Sequence, residues 1–230
     1  MMFTDKNFIL TFIRHAESCG NAGIYYEDKY QQDDPPLSPA GLKQAQMLAD
    51  SKLLDNVDYI FSSTLIRTVQ TVYPSAVNIS REIILLPELM EVNTRIAGTE
   101  YSRLRENYPL AIPCLSEPSP AGGPLLLGDE SVEMIVNRAQ RCIEYFHNIA
   151  DEGNHIAVIT HGSYFGYLLR AALGFSLPEI FCWQVDNCSA NRIIFRKNEI
   201  PKLSFVNYTG HLFHAPVYPT FPKLNQEVIL

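Results

Sequence analysis

Four cationic or titratable side chains, each placed shortly after an apolar run of the sequence, are the strongest candidates for chemistry. They are Arg14, His15, Arg67 and His161. Arginine presents a planar fork of donors that fits phosphate oxygens, and histidine can act near neutral pH as a neutral nucleophile or a charged donor. Together these side chains predict a pocket that binds an oxyanion.

The apolar runs before these side chains predict β-strands, because near-continuous apolar residues are typical of strands buried on both faces of a sheet. We expect strands at residues 8–15, 59–63, 83–86 and 155–160, and a closing antiparallel pair at 190–196 and 202–208. Apolar residues at helical spacing predict helices at 39–53, 65–73, 129–149 and 162–173. Ser38 before Pro39 is the expected N-cap of the first helix.

The alternation of strands and helices predicts an α/β fold, a three-layer α/β/α sandwich around a mostly parallel central sheet. In such sheets the ligand lies at the carboxyl ends of the strands. The four candidate side chains all follow strands and should therefore meet at this edge.

The length of 230 residues predicts a single domain that spans residues 1–230, since one hydrophobic core serves up to roughly 250–300 residues. Residues 94–128 contain five prolines and a Gly-Gly pair, and we interpret them as a substrate-pocket insertion that is helical near residues 100–108. The tail from about residue 210 is expected to be irregular.

The charge balance excludes some partners. The chain has 18 Lys and Arg against 25 Asp and Glu, a net charge of −7, so we expect no nucleic acid and no membrane as a partner. The first apolar run is too short for a signal core or a membrane span, and the five cysteines form no CxxC pair. We therefore predict a cytoplasmic protein with free thiols.

Several cofactor and nucleophile classes have no motif in this sequence. The patterns GxxxxGK[ST], GxGxxG, HExxH and GxSxG are absent, and no cysteine is followed six positions later by arginine. The histidines at 211 and 214 have no acid or thiol near them in the sequence, which is weak evidence for a metal site. We expect no metal and no other cofactor.

Six short blocks resemble, in the same order, the distributed signature of the histidine phosphatase superfamily, the phosphoglycerate mutase-like proteins. The blocks are RHAES at 14–18 with Asn21, LSPAGLKQA at 37–45, SSTLIRTVQT at 62–71, LME at 89–91, GDES at 128–131 and THG at 160–162. Ala16 stands where the family most often has glycine, and we expect it to have a negative φ. The resemblance runs over most of residues 8–195 and implies the fold expected above.

The resemblance also implies roles for single residues. It makes His15 the nucleophile of a metal-independent phosphomonoesterase, which forms a phosphohistidine from a small-molecule phosphate ester. It assigns Glu91 as the general acid, with Glu88 as the alternative. It assigns contact with the phosphate to Arg14, Ser18, Asn21, Arg67, His161 and Gly162. We expect His15 to be neutral and His161 to be protonated.

Two other functions stay open at this point. A phosphoglycerate mutase-type phosphotransferase uses the same pocket, although its longer insertion after the acid is missing here. A catalytically inactive module that binds phosphoryl groups is the second alternative, and the presence of both histidines, both arginines and an acid argues against it. The sequence sets neither the physiological substrate nor an oligomeric state.

Overall fold

A seven-stranded, mostly parallel sheet forms the centre of the molecule. The computed structural model describes residues 4–25, 34–94, 99–114, 128–175 and 183–213. The strands are β1 (Phe8–Arg14), β2 (Tyr59–Ser62), β3 (Ile83–Leu85), β4 (Ala111–Pro113), β5 (His155–Thr160), β6 (Ala190–Phe195) and β7 (Lys202–Tyr208). Their spatial order is β4-β3-β2-β5-β1-β6-β7. Strand β6 pairs in antiparallel fashion with β1 and with β7, and all other neighbouring strands pair in parallel.

Helices cover both faces of this sheet. They are α1 (Pro39–Asp50), α2 (Ile66–Ile79), α3 (Tyr101–Asn107), α4 (Val132–Ile149) and α5 (Gly162–Leu173), with 3-10 turns at Pro87–Leu89 and Gly210–Phe213. Neighbouring residues of β1 point to opposite faces: Phe12 packs in a cluster with α4 and α5, and Ile13 packs in a second cluster with α1 and α2. The predicted three-layer α/β/α sandwich is therefore confirmed.

Strand β1 lies between β5 and β6. Ile9 is paired with His155 of β5 in parallel register, and Phe8 is paired with Phe195 of β6 in antiparallel register. All seven residues of β1 except Arg14 are buried, and five of those six buried residues are apolar, Thr11 being the exception. The carboxyl ends of β1, β2 and β5 consequently lie side by side.

Two elements differ from the predictions. Helix α2 continues past residue 73 to Ile79 and contains Pro74, because the buried side chains of Val72, Ser75 and Ala76 hold this turn against the core. Strand β4 was not predicted; it pairs in parallel with β3, so part of the 94–128 stretch belongs to the central sheet. Residues 95–98 and 115–127 of that stretch and the tail from 214 lie outside the described residues.

The other predicted helices and strands are present with ends shifted by a few residues. Ser38 is the N-cap of α1 and accepts a hydrogen bond from the Gly41 nitrogen, as expected. Ser131 caps α4 in the same way through the Met134 nitrogen. None of the helices in the described ranges is long and apolar enough to cross a membrane.

Candidate active site

The two predicted histidines lie together at the carboxyl edge of the sheet. His15 directly follows β1 and His161 directly follows β5. The backbone nitrogen of His15 donates a hydrogen bond to the Thr160 carbonyl at 2.9 Å. The centroids of the two imidazole rings are 5.2 Å apart. Parallel pairing of β1 and β5 therefore places both rings in one site.

His15 is held in the tautomer that a nucleophile needs. Its Nδ1 lies 2.7 Å from the carbonyl oxygen of Ala16, which can only accept, so Nδ1 carries the proton and Nε2 keeps its lone pair. Burial, and after it the charge of Arg67, holds the pKa of His15 well below its usual 6.5. His15 is thus neutral near pH 7, as predicted. Ala16 is not among the described residues with positive φ, which confirms the expectation for this position.

His161 is fully buried and contacts Ser63, the residue after β2. Its Nε2 lies 2.9 Å from the Ser63 hydroxyl, which also accepts a hydrogen bond from the Leu65 nitrogen. The hydroxyl can still donate its own proton to Nε2, an arrangement in which the ring proton is on Nδ1. Burial, followed by the charge of Arg67, keeps the pKa of His161 well below 6.5. This lowering disfavours the protonated form of His161 that the sequence analysis expects.

Arg14 lies over the start of α5. Its Nη1 donates to the Val185 carbonyl at 2.5 Å, and a Cβ atom added to Gly162 would lie 3.1 Å from its Nε. Contact of this kind is tighter than ordinary van der Waals packing. Gly162 therefore leaves the room that the guanidinium occupies beside His161.

Arg67, in the first turn of α2, is fixed by an acid that the sequence analysis did not identify. Its Nη1 lies 3.6 Å from the Asp34 carboxylate, which also accepts hydrogen bonds from the nitrogens of Ile66 and Thr99. Burial raises the pKa of Asp34, whereas the charge of Arg67 lowers it. Asp34 lies 33 positions before Arg67, and no motif of the sequence connects the two.

Glu91 lies at the N-terminus of α5, close to both arginines. Its carboxylate accepts hydrogen bonds from the nitrogens of Ser163 at 3.2 Å and Tyr164 at 2.9 Å. Its charge also raises the pKa values of Arg14 and Arg67, in each case against the larger lowering effect of burial. These two hydrogen bonds fix the position of the Glu91 carboxyl group at the start of α5.

Glu88, the alternative acid, has different surroundings. It is buried in the 3-10 turn, and its nearest charges are Arg141 and Arg138 of α4. Burial raises the pKa of Glu88. Of the two alternatives, the structure therefore brings Glu91 to the arginines of the site.

Arg138 anchors the segment that carries Glu91. Its Nη1 donates to the carbonyls of Glu88 and Met90, at 2.8 Å each, and its Nε and Nη2 donate to the Glu130 carboxylate at 2.8 Å. Glu130 also accepts from the Asn93 nitrogen, on the other side of Glu91. The GDES block thus supplies the acid that holds this arginine, which the sequence analysis did not anticipate.

Ser18 and Asn21 lie in the loop after His15, where their polar groups contact each other. The nitrogen and hydroxyl of Ser18 both donate to Asn21 Oδ1, at 3.2 and 3.0 Å. Asn187 donates to the same Oδ1 and to the His15 carbonyl, at 3.1 Å each. These contacts stabilise the loop after His15, and Asn187 is a further member of the site that the sequence did not indicate.

A cavity of about 330 Å³ opens beside Arg14 and Glu91, along α5 and residues 183–185. A second cavity of about 380 Å³ lies near Asp34, Gln70 and Tyr108. The described part of the chain contains no group of three His, Cys, Asp or Glu side chains that could hold a metal ion. His211 is buried in the C-terminal 3-10 turn, and residue 214 lies outside the described ranges.

The chain is similar to known proteins over most of its length. The model of the histidine phosphatase superfamily (branch 1) matches residues 10–209. The chain is 28% identical over 208 residues to phosphoserine phosphatase 1 of Hydrogenobacter thermophilus, which covers 89% of this chain and 95% of that protein. It is 26% identical over 187 residues to a Proteus mirabilis protein named probable phosphoglycerate mutase GpmB, over 81% of this chain and 84% of that one.

A solved structure shows the same fold. Phosphoserine phosphatase from Entamoeba histolytica in complex with 3-phosphoglyceric acid aligns with a TM-score of 0.59 at 21% identity. The alignment covers 89% of this chain and 99% of that chain.

Proposed function

Since the chain belongs to the histidine phosphatase superfamily (branch 1), we propose that it is a metal-independent phosphomonoesterase that acts on a small organic phosphate through a phosphohistidine. The observation that carries this proposal is the hydrogen bond from His15 Nδ1 to the Ala16 carbonyl. It leaves a neutral ring with a lone pair on Nε2, close to the charges of Arg67 and Arg14. Such a group is an activated nucleophile.

In the first step, Nε2 of His15 attacks phosphorus in line with the ester oxygen. The new N–P bond forms as the P–O bond of the ester breaks, and protonated Glu91 gives its proton to the departing alkoxide. Arg14, Arg67 and the Nδ1 proton of His161 stabilise the charge on the other phosphate oxygens, a contribution of a few kcal/mol per donor. The alcohol leaves and a phosphohistidine remains.

In the second step, water attacks the phosphohistidine. Glu91, now ionised, takes a proton from the water as the new P–O bond forms and the N–P bond breaks. Inorganic phosphate leaves, and His15 returns to its neutral form with the proton still on Nδ1. Each turnover consumes one water molecule and restores both residues.

We propose a cytoplasmic location and a small phosphate ester as the partner. The described cysteines, Cys19, Cys114, Cys142 and Cys188, are all buried. Burial raises the pKa of Cys142 and of Cys188 to about 12. Unreactive thiols of this kind are compatible with a reducing compartment.

Trapping the intermediate tests this proposal. Rapid acid-free quenching after mixing with ³²P-labelled phenyl phosphate should label the wild-type chain with an acid-labile phosphate, and His15→Asn should remove the label. His147→Gln is the matched control, because His147 packs on Phe8 at the far end of β1. EDTA should leave the rate unchanged. A label that persists in His15→Asn would rule out His15 as the nucleophile.

The relative named as a probable phosphoglycerate mutase keeps phosphoryl transfer as a second candidate. The two activities differ in the fate of the phosphohistidine. A phosphatase releases inorganic phosphate from 3-phosphoglycerate faster than it forms 2-phosphoglycerate. Fast interconversion that needs a bisphosphorylated primer would instead identify a mutase, and no label and no turnover would identify an inactive binding module.

A further inference from the structure

Two hydrogen bonds that share one peptide group connect His15 to helix α1. The carbonyl oxygen of the peptide group between Ala16 and Glu17 accepts from His15 Nδ1 at 2.7 Å, and the N–H of the same group donates to Gln44 Oε1 at 2.8 Å. A peptide group is planar and rigid, so the direction of its N–H fixes the direction of its C=O. Gln44 therefore determines where the acceptor for the His15 proton lies.

Thr71 holds the preceding peptide group, which joins His15 to Ala16. Its hydroxyl lies 2.8 Å from the Ala16 nitrogen and 2.6 Å from the Arg67 carbonyl. The carbonyl can only accept, so the hydroxyl gives its one proton to Arg67 and accepts from Ala16 with a lone pair. Thr71 is fully buried, so the Ala16 N–H would have no solvent to bond if this hydroxyl were lost.

The other polar groups of this turn of backbone are bonded as well. The His15 carbonyl accepts from the Cys188 nitrogen at 3.1 Å, and the Glu17 carbonyl accepts from the Ser38 nitrogen at 2.9 Å. Each N–H and C=O group from position 15 to position 17 thus has a hydrogen-bonding partner. None of these peptide groups can rotate without breaking a hydrogen bond.

The direction of the Ala16 carbonyl decides which form of His15 exists. A neutral imidazole carries its proton on one of two nitrogens, and the partner of each nitrogen sets which one. With the proton on Nε2, the ring would have no lone pair there to attack phosphorus. A rotation of the Ala16 carbonyl away from Nδ1 would remove the hydrogen bond that favours the reactive form.

From this geometry we propose that Gln44 and Thr71 are positioning residues of the active site: they hold the two peptide groups that flank Ala16, and so keep the proton of His15 on Nδ1. The proposal rests on the phosphatase function proposed above. Gln44 also strengthens the acceptor, because donation by the Glu17 N–H polarises the Ala16 carbonyl. Gln44 belongs to α1 and Thr71 to α2, and these two helices pack against each other. The helix pair thus acts on the nucleophile through the nucleophile's own backbone.

The tautomer of His15 tests the proposal directly. Nitrogen-15 NMR of the full chain with labelled histidine distinguishes a protonated ring nitrogen from one with a lone pair. The variant His15→Asn identifies the His15 signals among the six histidines. At neutral pH the wild type should have its ring proton on Nδ1. In Gln44→Met and in Thr71→Val, which keep the approximate shape of the side chain and remove the oxygen, the ratio of Nε2–H to Nδ1–H should rise roughly tenfold, the equivalent of one hydrogen bond.

Matched controls separate this effect from a general loss of stability. Gln46→Met makes the same exchange at an exposed position of α1, and Thr11→Val removes a buried hydroxyl from β1 that contacts His155. Both should keep the wild-type tautomer of His15. Thr71→Ser retains the hydroxyl and should keep it as well.

The rates should change in a way that a merely structural role would not produce. Single-turnover formation of the phosphohistidine from p-nitrophenyl phosphate should be slower by roughly 10- to 100-fold in Gln44→Met and in Thr71→Val, because the ring is displaced from its productive geometry. The dissociation constant of inorganic phosphate, which the arginines bind, should stay close to the wild-type value. Thr71→Ser should restore the rate.

The tautomer is measured without substrate, so this proposal and the proposed function fail separately. If no ester is hydrolysed, the phosphatase function fails, and a shift of the proton to Nε2 in the two variants still supports the positioning role. Variants that hydrolyse esters and keep the wild-type tautomer would overturn the positioning role and leave the phosphatase function standing. Should Thr71→Val not fold, Gln44→Met, at a half-buried position, decides the question.

Discussion

Gly41 and Glu17 lie so close together that a Cβ atom at position 41 would sit 1.9 Å from the Glu17 carbonyl oxygen. That carbonyl also accepts a hydrogen bond from the Ser38 nitrogen, and Gln44 Oε1 accepts from the Glu17 nitrogen. The first turns of α1 are therefore packed directly on the loop that follows His15. Glu17 belongs to the RHAES block and Gly41 to the LSPAGLKQA block, so these two blocks of the signature meet in one packing contact.

Replacing Gly41 with alanine should disturb that loop. We expect Gly41→Ala to lower the free energy of unfolding by about 1–3 kcal/mol, the range for overpacking, and to lower kcat because the loop positions His15. Urea denaturation and steady-state kinetics measure the two effects. Lys43→Ala, at an exposed position of the same helix, is the control and should change neither. A Gly41→Ala variant with wild-type stability would contradict the contact.

The buried histidines predict how stability depends on pH. Burial lowers the pKa of His155 to about 3 and that of His211 to about 4, against 6.5 in an unfolded chain. Below pH 6.5 the unfolded chain binds protons that the folded chain does not, so the free energy of unfolding should decrease as the pH falls from 6.5 toward 4. Each such histidine lowers the free energy of unfolding at pH 5 by about 2 kcal/mol relative to its value at neutral pH.

Urea denaturation at pH 7 and pH 5 measures this dependence. In His155→Gln one of the titrating groups is gone, while an amide can still bond to the Thr11 hydroxyl that contacts His155 Nε2 at 2.7 Å. The variant should lose less stability between the two pH values than the wild type does. An unchanged difference would show that His155 is not a source of the pH dependence.

The proposed acid predicts a dependence on the leaving group. Alkoxides need a proton donor to depart, whereas nitrophenolate does not, so Glu91→Gln should slow alkyl phosphates by roughly 10²–10⁴ and p-nitrophenyl phosphate much less. Single-turnover rates are the measurement, because the same carboxylate also acts in the water step. Glu88→Gln is the control. If Glu88→Gln showed the dependence instead, the acid would be three residues earlier than proposed.

Arg138 should influence the reaction through Glu91 without contacting the substrate. Arg138→Gln removes the hydrogen bonds to the Glu88 and Met90 carbonyls and leaves the buried Glu130 without its partner. We expect a loss of stability of about 3–5 kcal/mol, the usual cost of breaking a buried ion pair. We also expect Arg138→Gln to slow alkyl phosphates more than p-nitrophenyl phosphate, to a smaller extent than Glu91→Gln does. A general loss of folding would slow both substrates equally. Arg141→Gln, one helical turn away and exposed, is the matched control.

The parts of the fold that the sequence predicts are those with a local signal. Strands β1 and β5 are predicted because most of their positions are apolar, and His15 and His161 are predicted as site residues because they come directly after these strands. Strand β4 has three residues, one of them Pro113, which is too little for any periodicity.

The missed members of the site have no local signal. Asp34 contacts Ile66, Arg138 contacts the Glu88 carbonyl and Asn187 contacts the His15 carbonyl across 32, 50 and 172 positions, so only the folded chain shows these contacts. The choice between Glu88 and Glu91 is of the same kind. Both lie in or next to one short turn, and the side that each carboxylate faces depends on the packing of α4 and α5 against it.

The central position of β1 has a consequence for synthesis on the ribosome. Its neighbours in the sheet are β5, which begins at His155, and β6, which begins at Ala190. Neither edge of β1 can be paired until most of the chain has been translated. Until then it is an apolar segment with both edges open, the kind of segment that associates with other chains. Contacts over such long sequence separations also slow folding. The nascent chain therefore exposes this apolar segment until β5 and β6 have been translated.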